Sequence, residues 1–136
     1  MSAFSNLPSH AVLPLGAYRI DELTRGAART DQQLLVVDLS EARCRDDVLR
    51  GLAAGLGLAV PSNAGSDRLL GELTRLRPPD DADPPGFVVI LQNLPDTAQF
   101  GPRQRDELLD VFRDAADHFF DRDTAFRVFY SVGRPA

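Results

Sequence analysis

Residues Leu34 to Leu73 read LLVVDLSEARCRDDVLRGLAAGLGLAVPSNAGSDRLLGEL. Leu34, Leu35, Val36 and Val37 form an apolar run without alternation, which predicts a strand covered on both faces, as in a parallel sheet under helices. A helix is expected to start near Cys44 to Asp46. Asp46 and Asp47 suit its first turn, and Val48, Leu49, Leu52 and Leu56 make one apolar face. Gly55 and Gly57 loosen its end, and Pro61 bars continuation. A second helix should begin near Asn63 to Asp67, with Asn63 or Ser66 as N-cap. Leu69, Leu73 and Leu76, with Leu70 beside them, form its buried face.

Working outward, Phe87 to Leu91 is a second apolar run and Phe126 to Val132 a third. Between them, residues 103–119 predict a third helix with Leu108, Leu109, Phe112, Ala115, Ala116 and Phe119 on one face. Strands alternating with helices predict a small α/β domain with a mostly parallel sheet. Arg77 to Gly86 (RPPDDADPPG) and Asn93 to Pro102 read as loops. Upstream, Met1 to Leu15 carries two prolines and no clear period, and is expected to be a tail. Gly16 to Ile20 (GAYRI) suits a short edge strand, and Asp21 to Arg29 a short helix with acids at its start and arginines later. The expected organisation is a tail over 1–15 and one domain over 16–136, with an extension at 16–33 and a core at 34–132. There is no internal repeat.

The 136 residues allow one domain with a real core. Hydrophobic content of 43% and charged content of 26% are those of an ordinary globular chain. No apolar run approaches membrane-span length, and the N-terminus lacks a basic-then-apolar export signal. Cys44 is the single cysteine, so no intramolecular disulfide forms, and the cytoplasm is the expected compartment. The net charge is −5, with arginines scattered among acids. That balance disfavours nucleic acid and favours a basic protein partner.

Constellations for catalysis are sparse. One cysteine gives no thiolate pair for zinc, and neither G-x-G-x-x-G nor a P-loop occurs. His118 reads either as a general base or as a helix-end histidine interacting with the dipole. Cys44 reads either as a nucleophile or as a structural thiol at a helix start. No enzyme activity, cofactor or metal is expected. A more specific pattern is Asp106, Asp110 and Asp114 at four-residue steps, followed by Asp117, opposite the apolar face of the third helix. Like charges at that spacing do not stabilise a helix. The row is either a solvated face, softened by Arg103, Arg105 and Arg113, or a receiver for an arginine- or lysine-rich partner.

The order strand, helix, "LGLAVPSNAG", helix with "LLGEL", strand "GFVVIL", helix "DELLDVFRDAA", strand resembles the barstar family. The most telling pieces are Leu56-Gly57-x-x-x-Pro61 before a glycine loop, and Val111-Phe112-Arg113-Asp114-Ala115. The resemblance spans roughly Leu34 to Val132, and GAYRI with its helix looks like an extension seen in longer members. It implies a three-stranded parallel sheet packed by helices. It also implies an inhibitor or immunity protein, monomeric before complex formation, that blocks a basic ribonuclease or toxin with an acidic loop and helix.

Carried over by residue, Asp67 matches the first acid of the inhibitory helix. The second acid falls at Gly71, with Glu72 adjacent, and Leu70 stands at the usual tryptophan. Asp114 matches a supporting acid on the third helix. Ser62, Asn63 and Ala64 replace the family's aromatic residues in a loop about two residues shorter by alignment on the leucines. Asn63, Gly65, Asp67, Gly71, Glu72, Asp110 and Asp114 are therefore the expected partner-binding residues. Gly71, with Arg68 and Arg75 nearby, also suits a second reading, a barstar-like fold reused as an interaction or regulatory module without a nuclease target.

Overall fold

The computed structural model describes residues 10–16, 19–78 and 85–133. Its strands are β1 (His10–Pro14), β2 (Gln33–Asp38), β3 (Gly86–Leu94) and β4 (Ala125–Val132). Its helices are α1 (Ile20–Arg29), α2 (Arg45–Leu56), α3 (Ser66–Leu73) and α4 (Pro102–Phe120). All strand pairs are parallel, in the order β1-β4-β3-β2. The mixed α/β class and the parallel sheet agree with the sequence, but among the described residues the sheet has four strands rather than three.

Alternation along β3 builds two cores at once. Phe87, Val89 and Leu91 pack with Leu52, Leu69, Phe112 and Phe119 on the face covered by α2, α3 and α4. Val88 and Ile90 pack with Leu23 and Ala27 of α1 and Phe129 of β4 on the other face. Every residue from Phe87 to Leu91 is fully buried. Two-faced burial was expected of β2 as well. Instead β2 lies at the sheet edge, where Leu34 and Leu35 are half-buried and Val36 is 42% exposed. An apolar run reports what covers a strand's faces, not whether it has two lateral neighbours.

The additional strand comes from the stretch read as a tail. His10 to Pro14 pairs in parallel with Phe126 to Tyr130, and Pro14 is tolerated because an edge strand has one ladder to supply. The described residues of GAYRI are not in a strand. Gly16 is in a turn, Arg19 is the N-cap of α1 and Ile20 its first residue, while Ala17 and Tyr18 lie outside the described residues. β3 also runs past the expected boundary to Leu94, through a register irregularity between Leu91 and Leu94. Of the RPPDDADPPG loop, residues 79–84 lie outside the described residues.

The carboxyl end of the sheet carries a polar network at that irregularity. Asn93 has a φ of 62°, a left-handed conformation that asparagine tolerates better than most residues. Its backbone N–H donates to Ser131 Oγ at 2.9 Å, and its Nδ2 donates to Asp38 Oδ1 at 3.1 Å. The Ser40 N–H also donates to Asp38 Oδ1, at 3.0 Å. The Asn93 bond first, and the Ser40 bond second, hold the Asp38 carboxyl below its ordinary value of 3.8.

Two glycines show how closely the layers approach. A Cβ built on Gly55 of α2 lies 2.7 Å from Cγ2 and 3.3 Å from Cβ of Val37, a stiff branched side chain on β2. A Cβ on Gly71 of α3 meets nothing within 4 Å. In thermal or urea unfolding, Gly71→Ala is expected to stabilise the protein by up to ~1 kcal/mol, the helix-propensity difference. Gly55→Ala is expected to destabilise it, and an equal gain at both positions would contradict the packing.

The Asp38 shift has a definite sign. A carboxyl lowered in the folded state contributes stability above its unfolded value, and that stability is lost as pH falls below 3.8 towards the folded value. Asn93→Ala is expected to raise the Asp38 titration midpoint towards 3.8, read by NMR. An unmoved midpoint would show that Asn93 does not set it.

Candidate partner-binding surface

The chain approaches α3 through a loop anchored at both ends. Gly57, with a φ of 67°, closes α2 in the left-handed region that glycine favours. The Leu58 N–H then donates to Ala53 O at 3.0 Å. Ala64, 5% exposed, plugs the loop into the core, and its N–H donates to Pro61 O at 3.1 Å. That turn occupies Asn63 and leaves Gly65 as the N-cap of α3, where Asn63 or Ser66 was expected. Ser66 is already the first helical residue.

Leu69 and Leu73 bury the inner face of α3. Ser66, Asp67, Arg68, Gly71 and Arg75 are exposed on and just beyond its outer face. Asp67 sits in the first turn, where the helix dipole favours a carboxylate, and forms no ion pair among the described residues.

Glu72 behaves differently. Its side chain is only 14% exposed. Oε1 accepts the Ala59 N–H at 3.3 Å, and Oε2 accepts Arg75 Nη1 at 3.2 Å. Arg68 Nη2 donates to Ala59 O at 3.4 Å. The backbone of one loop residue is thus gripped from α3 at both its N–H and its C=O.

α4 supplies the second half of the surface. Gly101 caps it, its N–H donating to Gln104 Oε1 at 2.9 Å, and Pro102 fills the first position. Leu108, Leu109, Val111, Phe112, Ala115, Ala116 and Phe119 are buried. Asp106, Asp110, Asp114 and Asp117 are exposed. Asp110 pairs with Arg113 at 2.7 Å, and the other three form no ion pair among the described residues. Arg105 cannot soften the row, because it turns away to Pro95 O at 2.9 Å and Asp96 Oδ1 at 3.1 Å.

The two helices pack with like ends together. Ser66 and Leu69 of α3 share a crevice with Gln104, Leu108 and Val111 of α4. Thr74 and Arg75, just past α3, share another with His118 and Arg122 at the end of α4. Of the expected site residues, Asn63, Gly65, Asp67, Gly71, Asp110 and Asp114 are exposed along this helical face and its loop. Glu72 is drawn inward to hold the loop. No signal in the sequence foretold the grip on Ala59, because it depends on the path of the loop.

Among the described residues, the side-chain hydrogen-bonding contacts of His118 are with Arg122 at the end of α4. Arg122 Nη1 lies 3.2 Å from His118 Nδ1 and 3.1 Å from its carbonyl oxygen. Cys44 is the half-buried N-cap of α2. Among the described residues, no three His, Cys, Asp or Glu side chains are grouped to hold a metal, and no helix is long and apolar enough to cross a membrane.

These features define a small parallel α/β fold with a row of exposed carboxylates on one helical face. The family model for barstar (barnase inhibitor) matches residues 32–131, most of the chain. The chain belongs to the barstar family. No curated protein and no solved structure matches it at a significant level.

The inward turn of Glu72 is open to direct test. Glu72→Ala removes the acceptor for the Ala59 N–H, and a hydrogen bond of this type contributes about 1 kcal/mol. Hydrogen exchange at the Ala59 amide is expected to accelerate while the amides of β3 stay protected. An unchanged rate at Ala59 would show that the loop is held by other contacts.

Proposed function

We propose that this protein inhibits a basic protein, a ribonuclease or a toxin, by covering its active site with the loop before α3 and the outer faces of α3 and α4. The observation that carries this reading is the set of exposed carboxylates on that face, Asp67, Asp106, Asp114 and Asp117, which have no intramolecular cation among the described residues. A site that holds phosphates presents positive potential, and unpaired carboxylates on a rigid helical face complement it. Membership of the barstar family supports the same conclusion.

The arginines of α3 oppose this reading less than their number suggests. Arg75 is paired with Glu72, and Arg68 reaches back to Ala59 O. Asp67 and Asp114 are proposed as the principal contacts, Asp110 as a peripheral one shared with Arg113, and Asn63 and Gly65 as loop contacts. Glu72 serves as the residue that positions the loop. Gly71 leaves the middle of the face bare, and this favours a second reading, a protein-interaction module whose partner is not a nuclease.

The test is capture of the partner by the tagged chain at low and high salt, beside Asp67→Lys/Asp114→Lys. Like-charge contacts across an interface cost several kcal/mol, so Kd is expected to rise on the order of a hundredfold. Gly71→Asp adds a carboxylate where a side chain meets open space, and is expected to tighten binding about tenfold. A salt-resistant partner without nuclease activity, bound equally by all three chains, would favour the second reading and remove the first.

A further inference from the structure

The charge reverses along one line of this helical face, with the exposed carboxylates of Asp117 and Asp121 lying off that line. On α4 the four-residue step through Asp106, Asp110 and Asp114 continues to His118 and then to Arg122, just beyond the helix. On α3 the same step runs from Asp67 through Gly71 to Arg75. The basic ends meet at a cleft of about 570 Å³, lined among others by Thr74, Arg75, Arg77, His118, Arg122 and Thr124.

The guanidinium groups at this cleft outnumber their counter-ions. Arg75 shares Glu72. Arg122 is spent on the His118 carbonyl and ring nitrogen, and has no carboxylate partner among the described residues. Arg77 has neither an ion pair nor a hydrogen bond among the described residues. Helix dipoles account for cations at the ends of α3 and α4. They do not account for Arg77, which lies four residues beyond α3 and still lines the same concavity.

We propose that this cleft receives a carboxylate of the protein partner, an Asp or Glu side chain or a chain terminus. The proposal rests on the α3–α4 face being the partner surface. It specifies a partner with a dipolar patch, basic opposite Asp67 and Asp114 and acidic opposite Arg77 and Arg122. A planar carboxylate matches the donor fork of a guanidinium. The carbonyl ends of two helices also converge here, and their negative potential penalises a dianionic phosphate more than a singly charged carboxylate.

The test is a titration of the full chain with acetate and, separately, with inorganic phosphate, following by NMR the arginine Nε–H signals and the backbone amides of Thr74, His118 and Thr124, which also line the cleft. The expected result is saturable movement of the Arg77 and Arg122 signals and of these amides with acetate, weaker movement with phosphate, and loss of the amide movement in Arg77→Gln/Arg122→Gln. No saturable movement, equal movement in that variant, or tighter binding of phosphate would overturn the proposal. Asp80, Asp81 and Asp83 follow directly in sequence, so the titration is repeated in Asp80→Asn/Asp81→Asn/Asp83→Asn. Acetate binding that arises only in this variant would show that the chain's own carboxylates fill the cleft, and would also overturn it. No basic partner enters the titration. Its failure leaves the inhibitor reading standing, and failure of the Asp67 and Asp114 substitutions leaves the cleft result standing.

Discussion

The two-sided burial of β3 is the constraint on which the rest of the molecule depends. Phe87, Val89 and Leu91 require the α2–α3–α4 layer, while Val88 and Ile90 require α1. Each side chain of this kind contributes about 1.5–3 kcal/mol when taken out of water. β4 closes the other flank of β3, with Phe126 and Val128 on one face and Phe129 on the other. The positions of α3 and α4 follow, because Leu69, Leu73, Phe112 and Phe119 can reach this core only when the polar faces of both helices point outward. The charged surface is therefore a by-product of where the apolar residues must go, fixed on rigid elements rather than on a free loop.

What the core cannot fix is the path of the loop between α2 and α3. Polar contacts do that instead. Gly57 turns the chain, Ala64 pins it, and Glu72 and Arg68 grip the backbone N–H and C=O of Ala59. Glu72 is thereby withdrawn from the surface, and the two arginines nearest Asp67 acquire acceptors of their own. The outcome is a face with unpaired acid at the start of α3 and along α4, and excess guanidinium just beyond the ends of both helices. A partner of uniform charge would match only half of it.

Much of this was legible in the sequence, for identifiable reasons. The leucines of α3 and the Leu108-Phe112-Ala115-Phe119 face of α4 recur at helical spacing, so the exposure of Asp67, Asp110 and Asp114 followed from geometry. The apolar run of β3 signalled its double burial correctly, but the same signal in β2 misled, because lateral position in a sheet leaves no trace in an apolar run. β1 was missed because Pro14 and the lack of a clear period read as tail, whereas its pairing is dictated by the free edge of β4. The basic cleft was written in the step from Asp114 to His118 to Arg122, but only the packing of the two helix ends makes it one site.

The most direct measurement is of the ribonuclease activity of the captured partner, titrated with the chain at low and high salt. The expected result is a loss of activity that is complete at one chain per partner and is relieved as salt rises. Full activity in the saturated complex, or a partner with no ribonuclease activity to lose, would contradict the inhibitor assignment while leaving the fold as described.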